Sequence, residues 1–86
     1  MKTKQVVVET LLNKMFEIAG HEVRYKDISN RNDNWYQKYT MTKQQNIEWN
    51  KWGTDYIKKE YKIPKEMAKI QMSMVDLNWG LKISDY

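Results

Sequence analysis

The residue types that usually carry catalysis are sparse in this sequence of 86 residues. His21 is the only histidine and there is no cysteine, so a metal site within one chain would depend on carboxylates, and no HExxH pairing is present. A serine nucleophile would have to recruit His21 without a GxSxG elbow, and no glycine-rich phosphate loop occurs. We therefore expect His21 to be an ordinary loop residue, and the protein to be no enzyme, with neither metal nor cofactor.

One basic cluster lies in residues 57–70, where five lysines outnumber two glutamates. The lysines are Lys58, Lys59, Lys62, Lys65 and Lys69. Because Tyr56 and Tyr61 are interleaved with them, ammonium groups could bind the phosphates of a nucleic acid while bases stack on the rings. The simpler interpretation is a solvated helix end, where cations stabilise the C-terminus. The net charge of +4 does not decide between them.

Aromatic residues are the other abundant resource, with four Trp, six Tyr and one Phe. Trp49, Trp52 and Tyr56 have the spacing of one face of a helix, which favours a place in the core. Trp35, Tyr36 and Tyr39 instead follow the turn-forming run SNRNDN. Tyrosine and tryptophan are enriched at interface hot spots, so we expect these last three residues to contact a protein partner.

The elements that position these residues are predicted to be helices. Residues 4–19 carry apolar side chains at one-sided helical spacing, with Thr3 as N-cap and Gly20 as a left-handed end. Thr42 and Gln45 form the pattern of a capping box that opens a second helix at about residues 43–61. Inside that helix Gly53 costs about 1 kcal/mol relative to alanine, which indicates a close crossing of two helices.

A third helix is predicted over about residues 64–79, with Pro64 in its first turn and Gly80 as its C-terminal cap. It has two apolar stripes. One comprises Met67, Ile70, Met74 and Leu77, and the other Ala68, Met72, Val75 and Trp79. A helix that is apolar on two sides is expected to be central and to contact both of its neighbours. The indoles of Trp49, Trp52 and Trp79 are then shielded where the three helices meet.

Residues 20–41 lack a sustained period, and we expect a long irregular connection there. Val23 and Tyr25 could pair with Leu81 and Ile83 as a two-stranded ribbon, which is marginal unless it packs on helices. A chain of this length forms one domain and removes roughly 60% of its unfolded surface from water. The sequence thus predicts a mainly α fold, a compact three-helix domain of residues 1–86, with the ribbon as a minor alternative.

A resemblance concerns the WYQKYTMT run, the aromatic and basic helix that follows it, and the closing NWGLK of residues 78–82. In these features the chain resembles small uncharacterised proteins encoded by tailed bacteriophages, many of them from marine bacteria. The resemblance assigns no role to any residue. It implies a setting, the cytoplasm of an infected bacterium, in which many short reading frames encode accessory or host-modulating factors.

Three functions follow as hypotheses. The first is a non-catalytic accessory protein that binds a host or phage protein. The second is a basic nucleic-acid-binding module that uses the five lysines, and the third is a minor virion or assembly component that forms a homo-oligomer. The sequence has no signal-peptide pattern and no apolar run long enough to span a bilayer, so we expect a soluble, cytoplasmic protein with no membrane partner.

Overall fold

The computed structural model describes residues 3–20, 40–80 and 82–83 of the chain. In chain order these residues form α1 (Lys4–Ala19), β1 (Thr40–Met41), α2 (Lys43–Tyr61), α3 (Lys65–Trp79) and β2 (Lys82–Ile83). The mainly α, three-helix prediction is confirmed. The long irregular connection was expected at residues 20–41; Thr40 and Met41 of this range form β1, and residues 21–39 lie outside the described residues.

The ends of α1 follow from its capping residues. Thr3 is extended, and its side-chain oxygen accepts a hydrogen bond from the backbone N–H of Val6 at 3.3 Å. At the other end Gly20 is left-handed, with φ of 79°, and its N–H donates to the carbonyl of Glu17 at 3.2 Å. Both predicted caps are therefore confirmed. Each satisfies backbone groups that a helix end leaves without a partner.

The start of α2 is joined to the end of α1 by Gln45. Its backbone N–H donates to Thr42 Oγ1 at 3.1 Å, and its Oε1 accepts from the Thr42 N–H at 2.8 Å, which completes the predicted capping box. The amide Nε2 of the same side chain donates to the carbonyl of Ile18 at 3.3 Å. One glutamine therefore satisfies groups at the N-terminus of α2 and at the C-terminus of α1.

The turn between α2 and α3 differs from the prediction in two details. Lys62 caps α2 in the left-handed region, with φ of 53° and ψ of 49°, a conformation that its residue type does not predict. Pro64 is the N-cap of α3 and precedes its first turn, because its extended ψ of 153° is incompatible with a helical residue. Gly80 ends α3 as predicted, although its φ of −58° is not left-handed.

A short parallel ribbon pairs the two strands, with Thr40 opposite Lys82 and Met41 opposite Ile83. The sequence had suggested Val23 and Tyr25 as the partners of this C-terminal strand; those two residues lie outside the described part of the chain. Met41 is buried, so β1 contributes to the core as well as to the ribbon.

The core lies where α1 and α3 pack on the two sides of α2. Its fully buried side chains come from all three helices and from β1; they are Val7, Leu11, Leu12, Met15, Phe16, Met41, Trp49, Ile57, Ala68 and Met72. Gly53 is the point of closest approach: a Cβ there would overlap the Met72 side chain and lie 3.1 Å from Leu11 Cδ2. The predicted close crossing is confirmed.

The helix in the middle is α2, and the expectation that α3 is central was wrong. Only one stripe of α3 is directed at the core, with Ala68 and Met72 buried and Val75 and Trp79 partly buried against it. The other stripe is exposed. The physical reason is that α2 lacks a side chain at Gly53, where Met72 of α3 and Leu11 of α1 both approach it closely.

Candidate functional site

The most unusual surface of the described residues is the outward side of α3. Met67 is 50% exposed, Ile70 64%, Met74 58% and Leu77 87%. These four residues follow one another at spacings of three, four and three, which places them on one side of a helix. We call them the apolar face of α3.

Exposure of single apolar side chains is ordinary, but exposure of a contiguous set is not. In the described part of the chain six large apolar side chains are exposed, and the other two, Val6 and Ile47, lie on α1 and α2. At about 100° per residue the apolar face of α3 is nearly opposite the stripe that packs on α2. It therefore makes no contribution to the core that the described residues form.

A groove of about 510 Å³ adjoins this face. It opens between α1 and α3 because both helices pack on α2 more than on each other. Val7, Val8 and Leu11 of α1 and Ile57 and Tyr61 of α2 line one part of it. Met74, Val75 and Trp79 line the α3 side. Since Met74 belongs to both, the groove and the apolar face of α3 form one continuous surface.

The borders of this surface are polar but carry little charge. Helical geometry places Glu66 and Ser73 along one edge of the apolar face of α3, and Gln71 and Asn78 along the other. Gln71 and Asn78 also line the groove, together with Lys4 of α1. Polar residues around an apolar centre are the arrangement seen at protein interfaces.

Of the five predicted nucleic-acid lysines, the structure places Lys65 and Lys69 at a common depression. All five are exposed, but Lys58 and Lys59 are consecutive on α2 and so diverge by about 100°, and Lys62 is the left-handed cap. Lys65 and Lys69 line a shallow depression of about 380 Å³ between α2 and α3. Lys51 lines the same depression. It was not among the predicted lysines because it lies outside the 57–70 cluster.

The aromatic side chains of α2 are mostly structural. Trp49 is fully buried, and its indole N–H donates to the carbonyl of Leu11 at 2.8 Å. Trp52 and Tyr56 are half-buried and stacked, with ring centroids 5.3 Å apart, and Lys14 Nζ lies 5.2 Å from the Trp52 ring. The predicted place of these rings against the core is confirmed, and the shielding is complete only for Trp49.

Trp35, Tyr36 and Tyr39, the predicted protein-contacting residues, lie outside the described residues, as does His21. The apolar face of α3 is visible in the sequence as a second stripe, which we expected to contact a neighbouring helix. The one sequence signal that pointed to α2 as the closely packed helix was Gly53, in the middle of its apolar face.

Among the described residues no group of His, Asp or Glu side chains is placed to hold a metal ion. None of the described helices is long and apolar enough to cross a bilayer. Comparisons with protein-family models, with curated proteins and with solved structures give no significant match to this chain.

Proposed function

We propose that this protein is a non-catalytic binding protein that acts by docking another protein on the apolar face of α3 and its adjoining groove. The observation that supports this is the exposure of four large apolar side chains, between 50% and 87%, on one side of one helix. Fully burying such a side chain is favourable by about 1.5 to 3 kcal/mol. A partner that covers the face gains part of this free energy at each residue, because it buries apolar surface that the described helices leave exposed.

The shape of the surface favours a protein ligand over a small molecule. The four residues extend along most of the 15-residue α3, over about 15 Å at 1.5 Å per residue. Anchors at this spacing are the mode by which helices recognise other helices or grooves. Two of the four are methionines, whose flexible thioether side chains adapt to an irregular surface. Small-molecule sites are in contrast concave and enclose most of their ligand.

The resemblance to bacteriophage proteins supports a setting for this binding. In that setting the partner is a host or phage protein in the cytoplasm of the infected cell. Trp35, Tyr36 and Tyr39 remain proposed as further contacts with such a partner.

The test uses one pair of matched substitutions. Ile70→Glu places a charge on the apolar face of α3, whereas Ile47→Glu makes the same change at a residue of similar exposure, 58%, on α2. Tagged forms of both variants and of the parent chain are used to recover partners from bacterial lysate, including any second copy of the chain. We expect recovery to be lost with Ile70→Glu and kept with Ile47→Glu. An unchanged set of partners in all three samples contradicts the proposal.

A nucleic-acid-binding function is the second candidate, supported by the convergence of Lys51, Lys65 and Lys69 in the depression between α2 and α3. Three phosphate contacts predict that affinity for duplex DNA falls about 40-fold between about 50 and 200 mM salt. Replacing all three lysines with glutamine should abolish binding, while Lys43→Gln, on the exposed start of α2, should weaken it little. Absence of binding at the lower salt concentration removes this candidate.

A further inference from the structure

We propose that the partner of the apolar face of α3 is a second copy of this chain, and that the two α3 helices pair antiparallel about a two-fold axis at the level of Met72. This inference rests on the proposed function, because it names the protein that occupies the same surface. It is drawn from the spacing of the four exposed residues and from the distribution of charge along α3.

The spacing is symmetric about position 72. Met67 precedes it by as many residues as Leu77 follows it, and the same holds for Ile70 and Met74. A two-fold interface must be self-complementary, with each residue facing its counterpart in both copies. In the antiparallel arrangement Met67 faces the partner's Leu77 and Ile70 faces the partner's Met74. All eight side chains are then covered in four layers, and none is left facing a polar residue.

The same spacing is that of a coiled-coil seam. Residues at intervals of three and four are the a and d positions of a heptad, whose side chains insert between those of a facing helix. The positions beside the seam and nearest to the two-fold axis are Gln71 and Ser73. Both are neutral, so each can face its own counterpart in the second copy without repulsion, which a protein of net charge +4 needs for self-association.

Charge also selects the antiparallel orientation over the parallel one. The five lysines of residues 58–69 lie at or before the first turns of α3, whereas its C-terminal half carries Asp76 and no lysine. A parallel pair would bring the two basic ends side by side. The antiparallel pair offsets the two copies of Lys65 by about 21 Å and the two copies of Lys69 by about 9 Å along the helix axis, and both offsets exceed the screening length of about 8 Å at physiological salt. The antiparallel arrangement also places the positive end of each helix dipole beside the negative end of the other.

The size of the surface sets the expected strength. Eight partly exposed side chains and their polar borders correspond to an interface of about 1,000 Å², the lower limit for specific association. We therefore expect a reversible dimer with a dissociation constant in the micromolar range, in which each copy keeps the fold of the single chain.

A charge exchange tests both the partner and the orientation. Ile70→Glu alone and Met74→Lys alone each put an unpaired charge into a central layer, so both variants should be monomeric, with dimerisation weakened at least about tenfold. Mixed in equal amounts, they should form a heterodimer, because Glu at 70 then faces Lys at 74 of the other chain while the second central layer keeps Ile70 against Met74. In a parallel pair residue 70 faces residue 70, and mixing restores nothing.

The measurement is sedimentation equilibrium from about 5 to 500 µM, with Ile47→Glu as the control that should dimerise like the parent chain. Circular dichroism melting establishes that each variant is folded, and Leu77→Glu serves as a second variant at the most exposed position. A parent chain that stays monomeric, variants that still dimerise, or a mixture that does not associate overturns the inference.

These outcomes separate the inference from the proposed function. A monomeric parent chain can still recover a different protein from lysate that the Ile70→Glu variant does not recover. In that case the apolar face of α3 is a binding surface whose partner is not a second copy. If the parent chain is monomeric and Ile70→Glu loses no partner, both fail.

Discussion

Gly53 allows α2 and α3 to approach closely, and the Met72 side chain fills the space that a side chain at position 53 would occupy. A Cβ at position 53 would lie 2.6 Å from Met72 Cε and 3.1 Å from Leu11 Cδ2. Both neighbours are buried, so they have little room to move. The close crossing at Gly53 could be predicted from the sequence, because a glycine inside a helix is destabilising and is best explained there by a closely packed neighbour.

Gly53→Ala is expected to lower the free energy of unfolding by about 1 kcal/mol. Overpacking costs about 1 to 3 kcal/mol and the gain in helix propensity returns about 1 kcal/mol. In a Met72→Val background the overlapping Sδ and Cε atoms are absent, and the same substitution should become neutral or stabilising. Urea unfolding of the four chains of this cycle measures the coupling; strict additivity would mean that Met72 does not limit the approach.

Lys62 is the opposite case, a residue whose conformation the sequence did not indicate. It occupies the left-handed region, which costs a non-glycine residue about 1 to 2 kcal/mol. Its N–H and that of Ile63 both reach the Lys58 carbonyl at the end of α2. The hydrogen bonds that end the helix therefore hold Lys62 in this conformation, a tertiary detail that its residue type does not encode.

Lys62→Gly should accordingly stabilise the protein by about 0.5 to 1 kcal/mol, since glycine adopts φ of 53° without strain but loses more entropy on folding. Lys51→Gly provides the control, because Lys51 is exposed in the middle of α2 and the substitution should cost about 1 kcal/mol. Thermal unfolding followed by circular dichroism measures both. Destabilisation by both substitutions alike would show that the turn is not strained.

At the scale of elements, the relation between α1 and α2 depends on the two functions of Gln45. The capping box was predictable from Thr42 and Gln45, because it uses residues close in sequence. The contact of Gln45 Nε2 with the Ile18 carbonyl was not, because it joins residues 27 positions apart and depends on how the helices are arranged.

Gln45→Glu separates the two functions. The carboxylate can still accept the Thr42 N–H, but it cannot donate to Ile18, and it places a negative charge at the C-terminal end of the α1 dipole. We expect a loss of about 1 kcal/mol. Gln44→Glu, one residue earlier and exposed, gains the same favourable interaction with the α2 N-terminus and should be neutral or slightly stabilising. Equal effects in chemical denaturation would remove the link to Ile18.

The two stripes of α3 show what periodicity cannot decide. Both repeat with the helical period, and the exposed one, with Met67, Ile70, Met74 and Leu77, is at least as apolar as the buried one. The selection is made by fit: Ala68 and Met72 match the notch at Gly53, whereas bulky residues along the whole stripe would hold the helices apart. Helix bounds could thus be predicted from the sequence, and the orientation of α3 could not.

At the scale of the whole molecule, the predicted three helices and their caps account for most of the described residues. The candidate site was predictable only in part: the lysines were identified without Lys51, and the apolar surface was taken for core. The binding surface follows from the packing of α1 and α3 on α2, since no other described element then covers the outward face of α3.

The hydrogen bonds between α2 and α3 are expected to persist when a partner binds. The Asp76 carboxylate accepts hydrogen bonds from Asn50 Nδ2 at 3.2 Å and from Asn46 Nδ2 at 3.4 Å, on the side of α3 that faces α2. These contacts hold α3 in place independently of its apolar face. A partner can therefore cover that face without rearranging the core.

The most direct test of an open apolar face on α3 is the oxidation rate of individual methionines by dilute peroxide, followed by peptide mass spectrometry. Met67 and Met74 are exposed, whereas Met15, Met41 and Met72 are buried in the same chain and serve as internal controls. In dilute protein we predict that Met67 and Met74 oxidise at least roughly tenfold faster than the buried three, and that they become protected as the concentration rises. Rates for Met67 and Met74 as slow as that of Met72 at high dilution would contradict the account, because the chain itself would then cover this face.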